Sequence, residues 1–519
     1  MESNQAQNQD ACDQKADASW SDQAQLNLGQ SLLFNYMADF TSTRNWDPSV
    51  VDAQLTSDAP IQLGSEFLID FKMGFTVVQL NYKIVEFTPP SLVVLKCTTK
   101  DYTLTDRITI SPNQANEHQS ILEYKVTLNY HNSNAAKAKI GQFALNRFAS
   151  KAFDNLKKLA FEDIGRTQHY PTVLDKVLVP GLYQFTRFGF FKNKKNFHPL
   201  PVNRRGDKVV ITGCTSGIGK EIAVELARAG AEIIMVNRTA SKARAFASEL
   251  DNRFKATVHS YIADLIDIQQ TYQTALQIQK DFPDIQCLIN NAGELLQERK
   301  ETPDGLEHNF AILLLAPFII TQVLLPSLMA SKPSDSYGKV INMCSGGLYA
   351  QALHLEDLQY KQGDFDGSKA YARAKRGLLD ASAYMSREYN DKQVRFFSMH
   401  PGWANTPGVE KSLAAFYKAT QKVLRTPFQG ADTAVWLALN KAPLESGVFW
   451  LDRQVHTDSI FPNTKTSNDD QARLYKSLSA LMTQHTAAQQ AHSQEVHQTG
   501  SPAPSELDSS SDKDKRQAS

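Results

Sequence analysis

Residues 208–230 constrain this chain more than any others. A short apolar run, KVVIT, leads directly into Gly213-Cys214-Thr215-Ser216-Gly217-Ile218-Gly219 and then into KEIAVELARAG, whose apolar positions recur every three to four residues. Strand, glycine turn and helix together open a βαβ unit. The glycines allow a tight turn and let the backbone approach a pyrophosphate closely. The free N–H groups and the dipole at the amino end of the helix then favour its negative charge. A lone glycine turn is only a loop, but a strand before it and a helix after it make it a dinucleotide-binding fingerprint. Thr212, Gly213, Thr215, Ser216, Gly217, Ile218 and Gly219 are therefore candidate cofactor contacts.

From Asp207 onward the texture alternates strand and helix, the pattern of a parallel sheet with helical crossovers. The strand candidates are KVVIT, EIIMVN, TVHSYIAD, QCLINNAG, KVINMCS, VRFFSMHP and GVFWLD. Several are apolar nearly throughout, which implies a sheet covered on both faces. The fold class is α/β, a Rossmann doubly wound parallel sheet over 206–462. At the end of the second strand an NAD enzyme places an acidic residue on the ribose 2′-hydroxyl. Here Asn237 and Arg238 stand there, followed by Lys242 and Arg244. A guanidinium suits a 2′-phosphate, so NADP(H) is the expected cofactor. A solvated surface arginine is the plainer alternative.

Tyr371-Ala-Arg-Ala-Lys375 places a phenol and an ammonium four residues apart, on one face of a helix. A free tyrosine titrates near ~10, and a neighbouring positive charge lowers that value. Tyr371 is then a candidate general acid in reduction, or base in oxidation.

The G-x3-G-x-G spacing, the Asn290-Asn291-Ala292-Gly293 that closes the fourth strand, and the YxxxK downstream of KVINMCSGG together resemble the short-chain dehydrogenase/reductase superfamily. The resemblance covers roughly 205–462. It implies that Ser345 hydrogen-bonds the substrate oxygen beside Tyr371 and Lys375. It also implies that Asp264 and Leu265 border the adenine and that Asn291, Ala292 and Gly293 line the cofactor. Pro401, Gly402 and Thr406 of HPGWANTPG would border the nicotinamide, with Tyr371 and Lys375 also touching the cofactor. One departure stands out. The family helix reads NFAxNxLG and its Asn completes a Ser–Asn–Tyr–Lys tetrad, whereas NFAILLLA puts Leu313 there.

Before this domain the pattern differs. Runs EFLIDF, TVVQLNYKIVEF, SLVVLKCT, YTLTDRITI and SILEYKVTLNY are separated by turn signals, and a helical pattern follows through Ile140, Phe143, Phe148, Ala152 and Leu156. A curved antiparallel sheet closed by one long helix is expected over 25–162. With the TSTRNWDPSVVDAQ stretch, this layout resembles the START-like helix-grip fold of polyketide cyclase/dehydrase type, an α+β domain. The resemblance implies an apolar cavity for a hydrophobic ligand. His131, Asp106 and Tyr124 read as scattered polar residues with structural roles.

Residues 163–205 form a linker in which Phe185, Phe188, Phe190 and Phe191 interleave with Arg187, Lys192, Lys194 and Lys195. Such a mixture suits peripheral membrane contact through 181–197. The basic cluster is short for lipid binding, however, and a strap across the next domain is preferred. Residues 1–24 and 484–519 are polar enough to be disordered, and 463–483 reads as a C-terminal helix. The run FAILLLAPFIITQVLLPSLMA has the length of a membrane span, but Pro317 and Pro326 interrupt it and soluble-domain motifs flank it. A core or subunit-interface helix is expected, with a homo-oligomer by analogy.

Lys plus Arg and Asp plus Glu both number 55, so no global charge points to nucleic acid. Five scattered cysteines show neither disulfide nor metal-ligand spacing and fit a reducing cytoplasm. The start MESNQAQNQDACDQK has no signal-peptide pattern. Two functions follow. The first is an NADP(H)-dependent oxidoreductase acting on a lipophilic carbonyl or alcohol. The second is a lipid-binding or transfer protein holding NADP(H) in a structural or sensing role.

Overall fold

The computed structural model describes residues 16–74, 76–113, 119–160, 183–200, 204–331, 337–389, 394–441 and 444–498. The first body comprises β1 (Ala18–Leu26), α1 (Gln30–Ala38), α2 (Thr43–Trp46), β2 (Val50–Leu55), β3 (Glu66–Met73), β4 (Thr76–Thr88), β5 (Leu92–Thr98), β6 (Tyr102–Pro112), β7 (Ser120–Tyr130) and α3 (Ala135–Leu156). Its strands pair antiparallel in the order β1-β7-β6-β5-β4-β3-β2. Side chains alternate across a strand, so Asp106, Ile108 and Ile110 of β6 share the buried face with Leu122, Tyr124 and Val126 of β7. The carboxyl-terminal half of α3 packs on that face through Ala152, Phe153 and Leu156, and the Phe148 ring lies 5.5 Å from Phe71.

Two of these strands depart from expectation. Residues 18–24 are not disordered: they lie in β1, which pairs along its whole length with β7. Ser19 exchanges two hydrogen bonds with the Gln142 amide of α3, and the Trp20 indole N–H donates to Ser150. An edge strand needs few apolar residues, and ASWSDQAQL carries too few to show as one. The short β2, VVDAQL, was missed likewise. Residues 1–15 lie outside the described residues.

A strap follows. Residues 163–182 and 201–203 of the expected linker, with 161 and 162 before it, lie outside the described residues. Within 183–200, α4 (Arg187–Lys194) turns Phe190 into the protein, and Phe185 is buried just before it. Phe188 and Tyr183 remain exposed.

The second body contains β8 (Lys208–Thr212), α5 (Gly217–Arg228), β9 (Glu232–Asn237), α6 (Ala240–Phe254), β10 (Val258–Ile262), α7 (Ile268–Asp281), β11 (Cys287–Asn290), α8 (His308–Met329), β12 (Gly338–Met343), α9 (Gly367–Glu388), β13 (Val394–Met399), α10 (Pro407–Ser412), α11 (Ala414–Thr420), α12 (Pro427–Leu439), β14 (Phe449–Leu451), β15 (Gln454–His456) and α13 (Asn468–Gln498). The sheet order is β10-β9-β8-β11-β12-β13-β14-β15, parallel except for β15. The order reverses between β8 and β11, and a crevice at such a switch point is where doubly wound sheets bind ligands. The apolar α8 lies mostly buried in the core, with a π-helical turn over Ala311–Leu315. α13 extends beyond its expected end at 483 and runs to Gln498, so residues 484–498 are helical rather than a disordered tail. Its Leu474 and Leu478 are drawn into the core, and that anchorage lets the helix continue through a polar sequence. Residues 499–519 lie outside the described residues.

Buried charges join the two bodies. Arg44 of α2 pairs with Glu221 at 2.6 Å and Glu225 at 2.9 Å on α5, and its guanidinium lies 4.1 Å from the centre of the Phe428 ring. Asp39 receives Arg228 at 3.0 Å and Arg253 at 3.2 Å. Burial opposes the charge on Asp39, but the two guanidinium groups outweigh it and hold the carboxyl down to about 2. Replacing Asp39 with Ala leaves two buried cations without their shared counter-ion. Loss of one partner of a buried pair costs about 3–5 kcal/mol. We therefore expect a clear fall in the urea midpoint, whereas an unchanged midpoint would show that the network holds the two bodies together only weakly.

Candidate active site

The glycine turn is built for close approach. Gly213 and Gly217 have φ of +65° and +55°, where side chains are disfavoured. A Cβ on Gly213 would lie 2.9 Å from Ala292 Cα, and one on Gly219 would collide with the Asn291 amide. Asn291 Nδ2 donates to Thr212 O at 3.0 Å and Gly213 O at 2.9 Å. Thr212 Oγ1 accepts from the backbone N–H groups of Asn291 and Ala292, each at 3.0 Å. The loop after β11 is thereby fastened to the turn after β8. Ser216, at the N-cap of α5, makes no side-chain cap bond, and Thr215 lies just before it. The first-turn N–H groups are left to meet an anion. Ile218 faces the opposite way, toward Gly430.

At the end of β9 the predicted contacts separate. Asn237 is buried and its Oδ1 accepts from Cys214 N–H at 2.9 Å, while Nδ2 reaches Cys214 Sγ at 3.5 Å. Its side chain thus braces the glycine turn instead of pointing into the crevice. Arg238 is exposed and faces Glu294 at 3.6 Å. Glu294 also lies 3.9 Å from His308 and 4.0 Å from Lys411. Asp264 accepts from Ile266 N–H at 3.4 Å and its own N–H donates to the Gln270 side chain, so it caps its loop, while Leu265 is buried in the core.

The second crevice wall comes from β12 and α9. Ser345 follows β12, caps a short turn and accepts from Gly347 N–H at 3.4 Å. Asp366 caps α9 by accepting from Lys369 N–H, which places Tyr371 in its second turn and Lys375 one turn later. Burial pushes the Tyr371 phenol up to about 12, opposed by a hydrogen bond with Ser345. Lys375 follows Tyr371 by one turn of the same helix. Its ammonium donates to Met343 O at 2.6 Å and lies 6.0 Å from the centre of the Tyr371 ring. Burial lowers it to about 8. Leu313 occupies the neighbouring space: a Cβ on Gly293 would lie 2.9 Å from its Cδ2 and 4.0 Å from Lys375 Nζ. An apolar side chain there offers the ammonium no oxygen, and the Met343 carbonyl takes that role.

The Pro401–Gly402 turn rests on a clamp that the motifs did not indicate. Gly402 has φ +75°, and its Cβ direction is filled by the Arg425 guanidinium. Arg425 is buried. It binds Asp452 twice, at 2.6 and 2.9 Å, and donates to Phe185 O at 3.1 Å, to Gln184 O and to Pro401 O. Phe185 O in turn accepts from Trp403 N–H, and its ring stacks on Tyr349 and meets His400 edge-on. Nothing local marks Arg425, because its partners come from three distant segments. Thr406 caps α10 by accepting from Val409 N–H, and its methyl faces Gly217. Ser412 at the end of α10 donates to Leu295 O and accepts from the Gln297 amide, which ties α10 across the crevice.

In the first body, Asp106 and Tyr124 are not scattered. The Tyr124 hydroxyl donates to Asp106 Oδ1 at 2.6 Å, and burial raises the Asp106 carboxyl to about 6. His131 lies apart and exposed, bonded to Thr103 and Lys100 O.

Lysine cannot reproduce a bidentate guanidinium fork. Arg425→Lys is therefore expected to leave strap carbonyls unpaired and to destabilise the fold by about 2–4 kcal/mol. Denaturant titration followed by tryptophan fluorescence would measure this, and wild-type stability would show the clamp to be dispensable.

A family model described as short chain dehydrogenase matches residues 207–415. Dehydrogenase/reductase SDR family member 12 of Homo sapiens is 34% identical over 307 residues, covering 58% of this chain and 95% of that protein. Retinol dehydrogenase 12 of Bos taurus is 31% identical over 254 residues, covering 48% of this chain and 78% of that protein. Among solved structures, L-sorbose reductase from Gluconobacter frateurii complexed with NADPH and L-sorbose superposes with a TM-score of 0.41 at 21% identity, covering 49% of this chain and 97% of that one.

Proposed function

The chain belongs to the short-chain dehydrogenase/reductase family, and on that premise we propose that it is an NADP(H)-dependent oxidoreductase interconverting a lipophilic carbonyl and its alcohol. Membership makes it a carbonyl/alcohol oxidoreductase; the cofactor preference and the substrate class are our reading.

A dinucleotide suits the crevice. Gly213 and Gly217 in left-handed conformations bring backbone to its floor, and the uncapped end of α5 offers N–H groups to a pyrophosphate. Arg238 at the end of β9 suits a 2′-phosphate. When bound, the nicotinamide supplies or accepts the hydride. The residues of this chain manage the proton. With its phenol pushed up to about 12, Tyr371 stays protonated at neutral pH and can give that proton to a carbonyl oxygen. Ser345 supplies a second hydroxyl beside it, and the Lys375 ammonium keeps positive charge one turn away. The observation that carries the reading is the pairing of Tyr371 and Lys375 one turn apart on α9, the ammonium 6.0 Å from the centre of the phenol ring, with Ser345 just after the neighbouring β12.

The amino-terminal body is proposed to be a helix-grip domain of polyketide cyclase type that binds the lipophilic substrate. In support, α3 closes the apolar sheet face through Ala152, Phe153 and Leu156, while Ile140 and Phe143 of its first half stay exposed at 67% and 68%.

General acid–base residues contribute roughly 10²–10⁴-fold to rate. Tyr371→Phe should lower NADPH-dependent reduction of lipophilic aldehydes and ketones by at least ~100-fold with NADPH affinity little changed. Equal inertness of both proteins, with NADPH still bound, would remove the catalytic reading. A carboxylate repels a phosphate, so Arg238→Asp should weaken NADPH at least about tenfold relative to NADH, since ~1.4 kcal/mol is tenfold. An unchanged ratio would mean that another residue reads the 2′ position.

A further inference from the structure

We infer that Glu294 sets the discrimination between a phosphorylated and an unphosphorylated ribose, an inference that rests on the dinucleotide reading above. In doubly wound sheets the ribose-reading carboxylate stands at the end of the second strand. Here that strand ends in Asn237, whose carbonyl oxygen is committed to Cys214 N–H, followed by Arg238. A carboxylate nevertheless reaches the same end of the crevice from the loop after β11. Glu294 lies 3.6 Å from Arg238, with His308 at 3.9 Å and Lys411 of α10 at 4.0 Å.

Those separations matter. Committed pairs in this protein close to 2.6 Å, as Arg425 does on Asp452 and Arg453 on Asp432. Glu294 is shared among its neighbours at longer range, and Arg238 keeps a 60% exposed side chain. Burial holds His308 below its ordinary value, so Arg238 and Lys411 carry the positive charge around Glu294 at neutral pH. The carboxylate then acts in opposite senses on the two cofactors. It competes with a 2′-phosphate for Arg238 and repels it. To a 2′-hydroxyl it offers an acceptor that no residue of β9 provides. Glu294 thus tempers the preference that Arg238 creates.

The test is equilibrium binding of NADPH and NADH to the full chain, followed by nicotinamide fluorescence at low salt. Glu294→Gln keeps the shape of the side chain and removes its charge. NADPH should bind roughly 3–10-fold tighter and NADH roughly 3–10-fold weaker, the scale of partly exposed charge pairs. The NADPH gain should become smaller when Arg238→Gln is added, because only the direct repulsion of the 2′-phosphate is then relieved, and it should shrink at high salt. A structural role for Glu294 would move both affinities the same way, and that result, or no change in either, overturns the inference. If the wild-type protein binds neither dinucleotide, the cofactor site itself falls, and this inference with it.

Discussion

Arg425 is buried where the strap, the turn after β13 and the β14–β15 connection meet, and each depends on its guanidinium. It gives two bonds to Asp452, which lies at φ +51° in the tight link between β14 and β15, and further bonds to the carbonyls of Gln184, Phe185 and Pro401. Burying such a cation is costly unless its hydrogen bonds are filled, and here most are. The arrangement makes the strap part of the catalytic body. Phe185 stands in line with Tyr349 and against His400, and a Cβ on Gly346, the residue after Ser345, would come within 3.3 Å of its ring. Phe185 of this aromatic-rich segment thereby supports the crevice from behind.

The amino-terminal body is tied to the same crevice from another direction. Its charges meet α5, the helix whose first turn faces the glycine loop, through Glu221, Glu225 and Arg228. Gln429 also reaches Val51 O, and Lys194 of the strap reaches Val50 O, so β2 is held by both the second body and the strap. Polar contacts of this kind fix orientation more strictly than apolar packing does, because each has a preferred distance and angle.

Much of this was legible in sequence, for physical reasons. Strands β8, β9 and β11 to β14 are buried nearly throughout and so read as nearly continuous apolar runs. Tyr371 and Lys375 were visible through helical spacing, and the glycine turn through the strand and helix around it. The hidden parts depend on neighbours that only folding supplies. β1 lies at a sheet edge and carries too few apolar residues to register. Asn237 was correctly placed at the end of its strand, yet its role is decided by Cys214 N–H across the turn. The Lys375 ammonium donates to Met343 O, and Leu313, from a helix far away in sequence, lies in the adjoining space. Glu294, His308 and Lys411 have no motif linking them.

The apolar helix α8 has a consequence for how this chain is made. By length and composition it could cross a membrane, yet in the folded protein it is walled in, and part of that wall is α13. The Tyr475 ring lies 5.5 Å from Phe318, its hydroxyl donates to Gln322, and Leu474 and Leu478 complete the same core. A ribosome delivers residues in order, and domains fold as their parts emerge. For the interval between Met329 and Asn468, the nascent chain presents an apolar surface whose cover has not yet been synthesised. A stop before residue 468 would therefore open the core of the hydride-transfer domain rather than trim a dispensable end.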